Sequence, residues 1–192
     1  MGNTEKRRNG CVVHITGASG SGTTTLAKKL CEKFGYQHLD TDDFFWESTN
    51  PPFTTIRAVE ERQVLLERAV SSCKKCIISG SLTGWGDIFI PSFDLVIYLY
   101  AQTDVRLGRL QKREFERFGD RILPGGDMEE EHKNFLIWAS QYDSGGMDMR
   151  SAEKHEKWLK ELTSPVIRLD GTVMLEDNIA LLETAFFKSV ND

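Results

Sequence analysis

Along the 192-residue chain, short unbroken apolar runs alternate with stretches in which apolar residues recur every third or fourth position. The runs, of which Cys11-Val12-Val13-His14-Ile15 is the first, are bounded by turn residues and predict strands near 11–16, 36–40, 76–80, 94–100 and 165–169. The stretches between and after them predict helices near 24–34, 57–73, 103–118, 129–141, 151–162 and 174–189. Leu26, Leu30 and Phe34 in the first helix, and Val64, Leu65 and Ala69 in the second, define the stripes expected to face a core. Alternating strands and helices read as βα units around a parallel sheet, and in such sheets ligands bind outside the carboxyl ends of the strands.

The first strand end carries the most specific signal. Gly17-Ala18-Ser19-Gly20-Ser21-Gly22-Thr23-Thr24-Thr25 joins a strand to a helix and matches Gly-x-x-x-x-Gly-Lys-[Ser/Thr] at every fixed position except one, where Thr23 replaces the lysine. Gly17, Gly20 and Gly22 let the backbone curl around phosphate oxygens, Ser19 and Ser21 lie within the turn, and Thr24 stands where a hydroxyl joins a Mg²⁺ shell. Thr23 cannot supply the point charge that lysine brings to the β- and γ-phosphates. The competing readings are a flexible glycine-serine turn and a Rossmann fingerprint. The second fails on glycine order, because Thr25 falls where its last glycine belongs.

Composition narrows the class. The chain is 40% hydrophobic, enough for one domain with its own core, and its net charge of −5 argues against a nucleic-acid or anionic-membrane partner held by charge. No apolar run approaches the roughly 20 residues of a membrane span, and the polar start of the chain reads as neither a signal peptide nor, with Lys6 at the Ser/Thr position, a myristoylation site. Cys11, Cys31, Cys73 and Cys76 are too sparse for a disulfide framework, so they read as idle thiols in a reducing cytoplasm. His14, His38, His132 and His155 lack metal-ligand spacing and read as structural or exposed.

Two further strand ends are rich in chemistry: Asp40-Thr41-Asp42-Asp43-Phe44-Phe45-Trp46, and Ser79-Gly80-Ser81-Leu82-Thr83-Gly84-Trp85. At these residues the chain resembles the P-loop kinases of the adenylate kinase, shikimate kinase and gluconate kinase type, including bacterial adenylate-kinase-like proteins that share the loop and the Gly125-Gly126-Asp127 segment. The resemblance implies an α/β P-loop NTPase fold: a five-stranded parallel sheet flanked by helices, with an arginine-rich lid. It implies one domain over residues 10–190, a lid or insertion around 112–150, and a flexible segment 1–9 ahead of them.

The function so implied is ATP- and Mg²⁺-dependent phosphoryl transfer to a small metabolite or nucleotide in the cytoplasm. Asp42 is favoured, ahead of Asp40 and then Asp43, as the carboxylate serving Mg²⁺ and the acceptor hydroxyl; the alternative is that these aspartates cap the next segment. The third strand ends without an acid, so the metal would rest on Thr24, water and Asp42. Asp40, Trp46, Arg57, Ser81 and Trp85 fall on the acceptor side, the two tryptophans as stacking or packing residues. Arg109, Asp170 and Gly171, with the loop residues Gly17 to Thr25, fall on the nucleotide side. Arg113, Arg117 and Arg121 are the lid cations expected to reach the γ-phosphate in place of the missing lysine, the alternative being a solvated face paired with Glu114 and Glu116. Lys28 and Lys29 lie too far into the first helix for that task. The rival function is a nucleotide-binding module that lost catalysis with its lysine; a GTPase is disfavoured because no Asn-Lys-x-Asp occurs between residues 94 and 170. The acceptor and the oligomeric state stay open at this level.

Overall fold

The structure is a computed structural model that describes residues 10–188. The segment 1–9, read as flexible, and the predicted helix end at 189 lie outside the described residues. Five strands, β1 (Cys11–Gly17), β2 (Gln37–Asp40), β3 (Lys75–Ser79), β4 (Leu95–Tyr100) and β5 (Val166–Asp170), form one sheet in the order β2-β3-β1-β4-β5, every pair parallel. Helices α1 (Thr23–Phe34), α2 (Thr41–Phe45), α3 (Val59–Ser72), α4 (Thr103–Phe118), α5 (Glu129–Ser140), α6 (Ala152–Leu159) and α7 (Leu175–Leu182) complete the α/β fold.

Both faces of the sheet are covered, which is why the inner strands β1, β3 and β4 are mostly apolar and buried, whereas the edge strands β2 and β5 carry Gln37, Asp40, Arg168 and Asp170. On one face Val13, Ile15, Ile77, Leu95 and Ile97 pack with Leu26, Leu30, Leu182 and Phe187. On the other, Val12, Ile78, Val96 and Tyr98 pack with Leu66, Val70, Trp85, Phe89 and Trp158.

The predicted elements are present, and the differences have local causes. Helix α1 begins at Thr23 because Gly22, at φ 105°, turns the chain, and it ends at Gly35, whose N–H caps Cys31 at φ 71°. In α3 the buried row is Leu66 and Val70, while Val64 is exposed; the helix turns its Arg62 face inward, where the guanidinium stacks 4.1 Å from Phe45. Helix α2 was not expected. It forms because the Asp40 carboxylate accepts from the Asp42 N–H at 3.1 Å, an N-cap that converts the strand end into a helical turn. The last helix relaxes into a π-helical turn over Glu183–Phe187.

Segment 112–150 is a helical arm: the end of α4, a 3-10 turn (Gly119–Ile122), the turn 123–128, α5, and a return loop to the N-cap Ser151 of α6. Arg106, fully buried, fixes its root by donating to Ala101 O, Ala139 O and Thr103 Oγ1 and pairing with Asp143 at 3.1 Å.

At the end of β3, Gly80 holds φ 113°, and a Cβ there would sit 1.8 Å from Thr41 Oγ1 at the start of α2. Left-handed strain and this clash add, so Gly80→Ala should destabilise the fold by ~2 kcal/mol or more in urea unfolding; an unchanged midpoint would show that the β3–α2 contact is loose.

Candidate functional site

Gly20 (φ 81°) and Gly22 (φ 105°) bend the loop after β1 so that α1 starts without any side-chain cap. Its first N–H groups therefore point out of the loop without side-chain partners, the arrangement that binds oxyanions. Ser21 closes the turn by donating its N–H to Ala18 O at 3.1 Å. Thr23 occupies the first helical position and brings no charge.

Beside the loop is an oxygen cluster. Thr24 Oγ1 donates to Asp40 Oδ2 at 3.1 Å, and Ser79 Oγ lies 3.5 Å from Thr24 Oγ1 and 2.9 Å from His38 Nε2. Sheet register explains it: Asp40 on β2 pairs with Ser79 on β3, so the acid missing from the third strand stands one strand further out. Asp40, rather than the favoured Asp42, is the carboxylate on Thr24, and its other oxygen caps α2. Among the described residues no group of three or more His, Cys, Asp or Glu could hold a metal ion. Two hydroxyls and one carboxylate do fit a hard cation that keeps most of its water, as Mg²⁺ does.

On the far side of the loop, Arg109 donates to Ser21 O at 3.3 Å and Gly171 O at 2.9 Å. These residues, with Thr25, Leu99, Val173, Met174 and Asn178, line a cleft of about 360 Å³. Asp170 does not face it directly; its carboxylate accepts from Thr172 and its carbonyl from Asn178, which shapes the turn.

On the near side opens a cavity of about 750 Å³. Ser19, Asp42, Trp46, Ser81, Trp85, Arg113 and Arg117 all line it, so the structure gathers residues that were separate in sequence. The arm adds Phe118, Met128, Phe135, Trp138 and, at its end, Arg150, and α6 adds Lys154; none of these six was singled out from sequence. Trp85 is a wall more than a platform, 5% exposed, with Nε1 donating to Ser81 O at 3.0 Å. Three expected residues are absent from the lining, the first being Asp40, which is turned to Thr24 and to the start of α2. Arg57 is spent on the carbonyls of Phe44 and Trp46 and on Glu61, and Arg121 pairs with Asp127 at 2.7 Å. Arg113 and Arg117 both face Glu114, and Arg117 stacks 4.8 Å from Phe53.

Asp42 is reached by solvent through the cavity. Crowding by protein and the Asp40 charge raise its carboxyl above the ordinary range, against the pull of Arg150, Arg113 and Arg117. Arg150 Nη2 donates to the Gly17 carbonyl at 2.7 Å, and its Nε is enclosed without a partner. Behind Ser81 runs a buried polar chain: Ser81 Oγ to His155 Nε2 at 3.2 Å, His155 Nδ1 to Tyr142 Oη at 2.6 Å, and Tyr142 to Tyr98 at 3.0 Å. His155 is thus structural, as expected, yet one bond from the cavity; His38, on Ser79, is equally close to the Thr24 cluster. The four thiols are free, and burial raises Cys11, Cys31 and Cys76, the last to about 12, in keeping with inert side chains.

A five-stranded parallel sheet with a glycine loop on its first strand, Thr24 held by a carboxylate and an acceptor-sized cavity alongside is the architecture of P-loop small-molecule kinases. The chain belongs to the family described as an AAA domain, whose model matches residues 13–134. It is 42% identical over 167 residues to the uncharacterized protein YqaC of Bacillus subtilis, covering 87% of this chain and 92% of that one. It is 32% identical over 116 residues to a cytidylate kinase of Pyrococcus furiosus, spanning 55% of this chain and 59% of the enzyme. Among solved structures, a shikimate kinase from Bacteroides thetaiotaomicron superposes with a TM-score of 0.55 at 17% identity, covering 91% of this chain and 97% of that one, which shows the shared fold. No helix among the described residues is long and apolar enough to cross a membrane.

Burial lowers His14 from its ordinary 6.5 to about 4 and His155 to about 3, with the Arg150 charge acting in the same sense. Below pH 6.5 the unfolded chain binds protons at these positions that the folded chain refuses. The contribution of these two imidazoles to stability should therefore be constant above that pH and fall as the pH drops from 6.5 towards 4, each adding up to about 1.4 kcal/mol per pH unit. Thermal melts from pH 8 to 5 and histidine NMR titration check this; normal titration of both rings above pH 6 would contradict it.

Proposed function

We propose that the protein is an ATP- and Mg²⁺-dependent phosphotransferase whose acceptor is a small molecule held in the larger cavity. The observation that carries this reading is the position of Asp42, which lines that cavity together with Ser19 of the loop, one turn from the Asp40–Thr24 pair. In it the nucleotide base enters the smaller cleft beside Arg109 and Gly171, and the loop N–H groups take the phosphates. Thr24 and Asp40 are the residues that would hold Mg²⁺, which when bound neutralises charge on the transferring phosphates. Asp42, its carboxyl raised, takes the proton of an acceptor hydroxyl. Aromatic walls beside three arginines and a lysine, matched by the carboxylates of Asp42, Glu114, Asp127 and Glu131, suit an acceptor that is planar or apolar on one part and carries hydroxyl and charged groups on another. The names of the relatives, cytidylate kinase and shikimate kinase, support a small acceptor of that kind.

Isothermal titration with Mg²⁺ and ATP or ADP, followed by ADP-release assays over a panel of nucleoside monophosphates and small carboxylate-bearing alcohols, tests the reading. Both nucleotides should bind, and at least one acceptor should turn over. With an alcohol acceptor, Asp42→Asn should lower turnover about 10²-fold or more while leaving ADP affinity intact. Binding without turnover across the panel favours the non-catalytic module, and no binding of either nucleotide at millimolar concentration removes the proposal.

A further inference from the structure

Thr23 leaves the loop without the charge that its position normally supplies, and the cations expected from the arm are committed elsewhere. Arg121 does not reach the cavity and is held by Asp127. Arg113 and Arg117 share Glu114, and each keeps 40% or more of its side chain in solvent. Lys28 and Lys29 are exposed on α1, and Lys29 pairs with Glu32 at 2.8 Å.

Arg150 differs in every respect. It sits on the first carbonyl of the loop, Gly17 O, at 2.7 Å, and lines the cavity with Ser19 and Asp42. It makes no ion pair among the described residues. Its Nε is sealed from solvent with nothing to donate to. A guanidinium carries five N–H donors, and leaving them unmatched inside a protein is costly unless an anion completes the set. The enclosed Nε fixes the fork in place, and because the residue also lines the cavity, oxygen atoms of a phosphoryl group between the loop and Asp42 are acceptors that its terminal N–H groups fit.

Building on the kinase reading, we propose that Arg150 is the catalytic cation that replaces the loop lysine, binding the γ-phosphoryl group of the nucleotide from the acceptor side. As the acceptor oxygen bonds to Pγ, the bond from Pγ to the bridging oxygen breaks and its electron pair leaves with ADP. The acceptor's proton passes to Asp42, and Arg150 balances the charge gathering on the equatorial oxygens. The position is suited to this because Gly17 O orients the guanidinium before the nucleotide arrives.

The test compares Mg²⁺-bound adenylyl imidodiphosphate, which keeps three phosphate-like groups, with Mg²⁺-bound ADP by isothermal titration. Arg150→Met should weaken the imidodiphosphate by ~10- to 100-fold and leave ADP unchanged; adding Thr23→Lys in the same chain should restore the lost preference. Equal loss for both ligands, loss for neither, or no rescue by the lysine overturns the assignment. Should Arg150→Met not fold, Thr23→Lys alone decides: little gain in imidodiphosphate binding agrees with a cation already in place, and a gain of tenfold or more contradicts it. A native protein that binds neither ligand defeats the kinase reading as well, whereas one that binds both and ignores Arg150→Met defeats this inference alone.

Discussion

The pairing of β2 with β3 is the constraint on which the site depends. It sets Asp40 opposite Ser79, and from there the Asp40 carboxylate reaches both the Thr24 hydroxyl and the Asp42 N–H. One side chain thus ties the phosphate loop to the strand at the sheet edge and starts the helical turn that carries Asp42 to the cavity. A slip of one residue in β2 would turn its side chains to the opposite face of the sheet and undo both bonds. The glycine at position 80 serves the same contact from β3, since any side chain there would collide with Thr41.

A polar layer lies beneath that contact. His14 is fully buried on β1, stacked 5.1 Å from Phe93 and bonded to Ile78 O, while His155, Tyr142 and Tyr98 connect Ser81 to the middle of the sheet. Such a chain is stable only while both imidazoles stay neutral, because a charged ring so near Arg150 and so far from water would be repelled and desolvated together. Its effect is to hold Ser81 and the root of the arm in one arrangement. Arg106 does the same for the arm from α4, with every bond made to the protein interior or to Asp143.

Two buried or half-buried arginines therefore serve opposite ends. Arg106 is saturated by acceptors and is a structural bolt, whereas Arg150 is under-used by the protein and faces a cavity. The contrast follows from hydrogen-bond accounting rather than from charge, and composition alone does not separate the two.

What could be read from the chain itself was whatever depends on neighbours in sequence. The five strands and six of the helices follow from apolar runs and helical spacing, and the loop from glycines at fixed separations. Even the competing idea that an aspartate caps the next segment was legible, and Asp40 turns out to cap α2 and hold Thr24 together. The stripe in α3 was misplaced by a residue or two because a buried Arg62, stacked on Phe45, is indistinguishable from a surface arginine in a hydropathy pattern. Arg150 gave no signal, and His155 only that of a structural or exposed ring: each follows or lies in an ordinary polar stretch, and their partners, Gly17 and Ser81, are 133 and 74 residues away. Local sequence determined which elements form and where the glycine loop turns. Only the tertiary structure, by bringing distant chain segments to one sheet edge, decided which carboxylate meets Thr24 and which arginine stands over the loop.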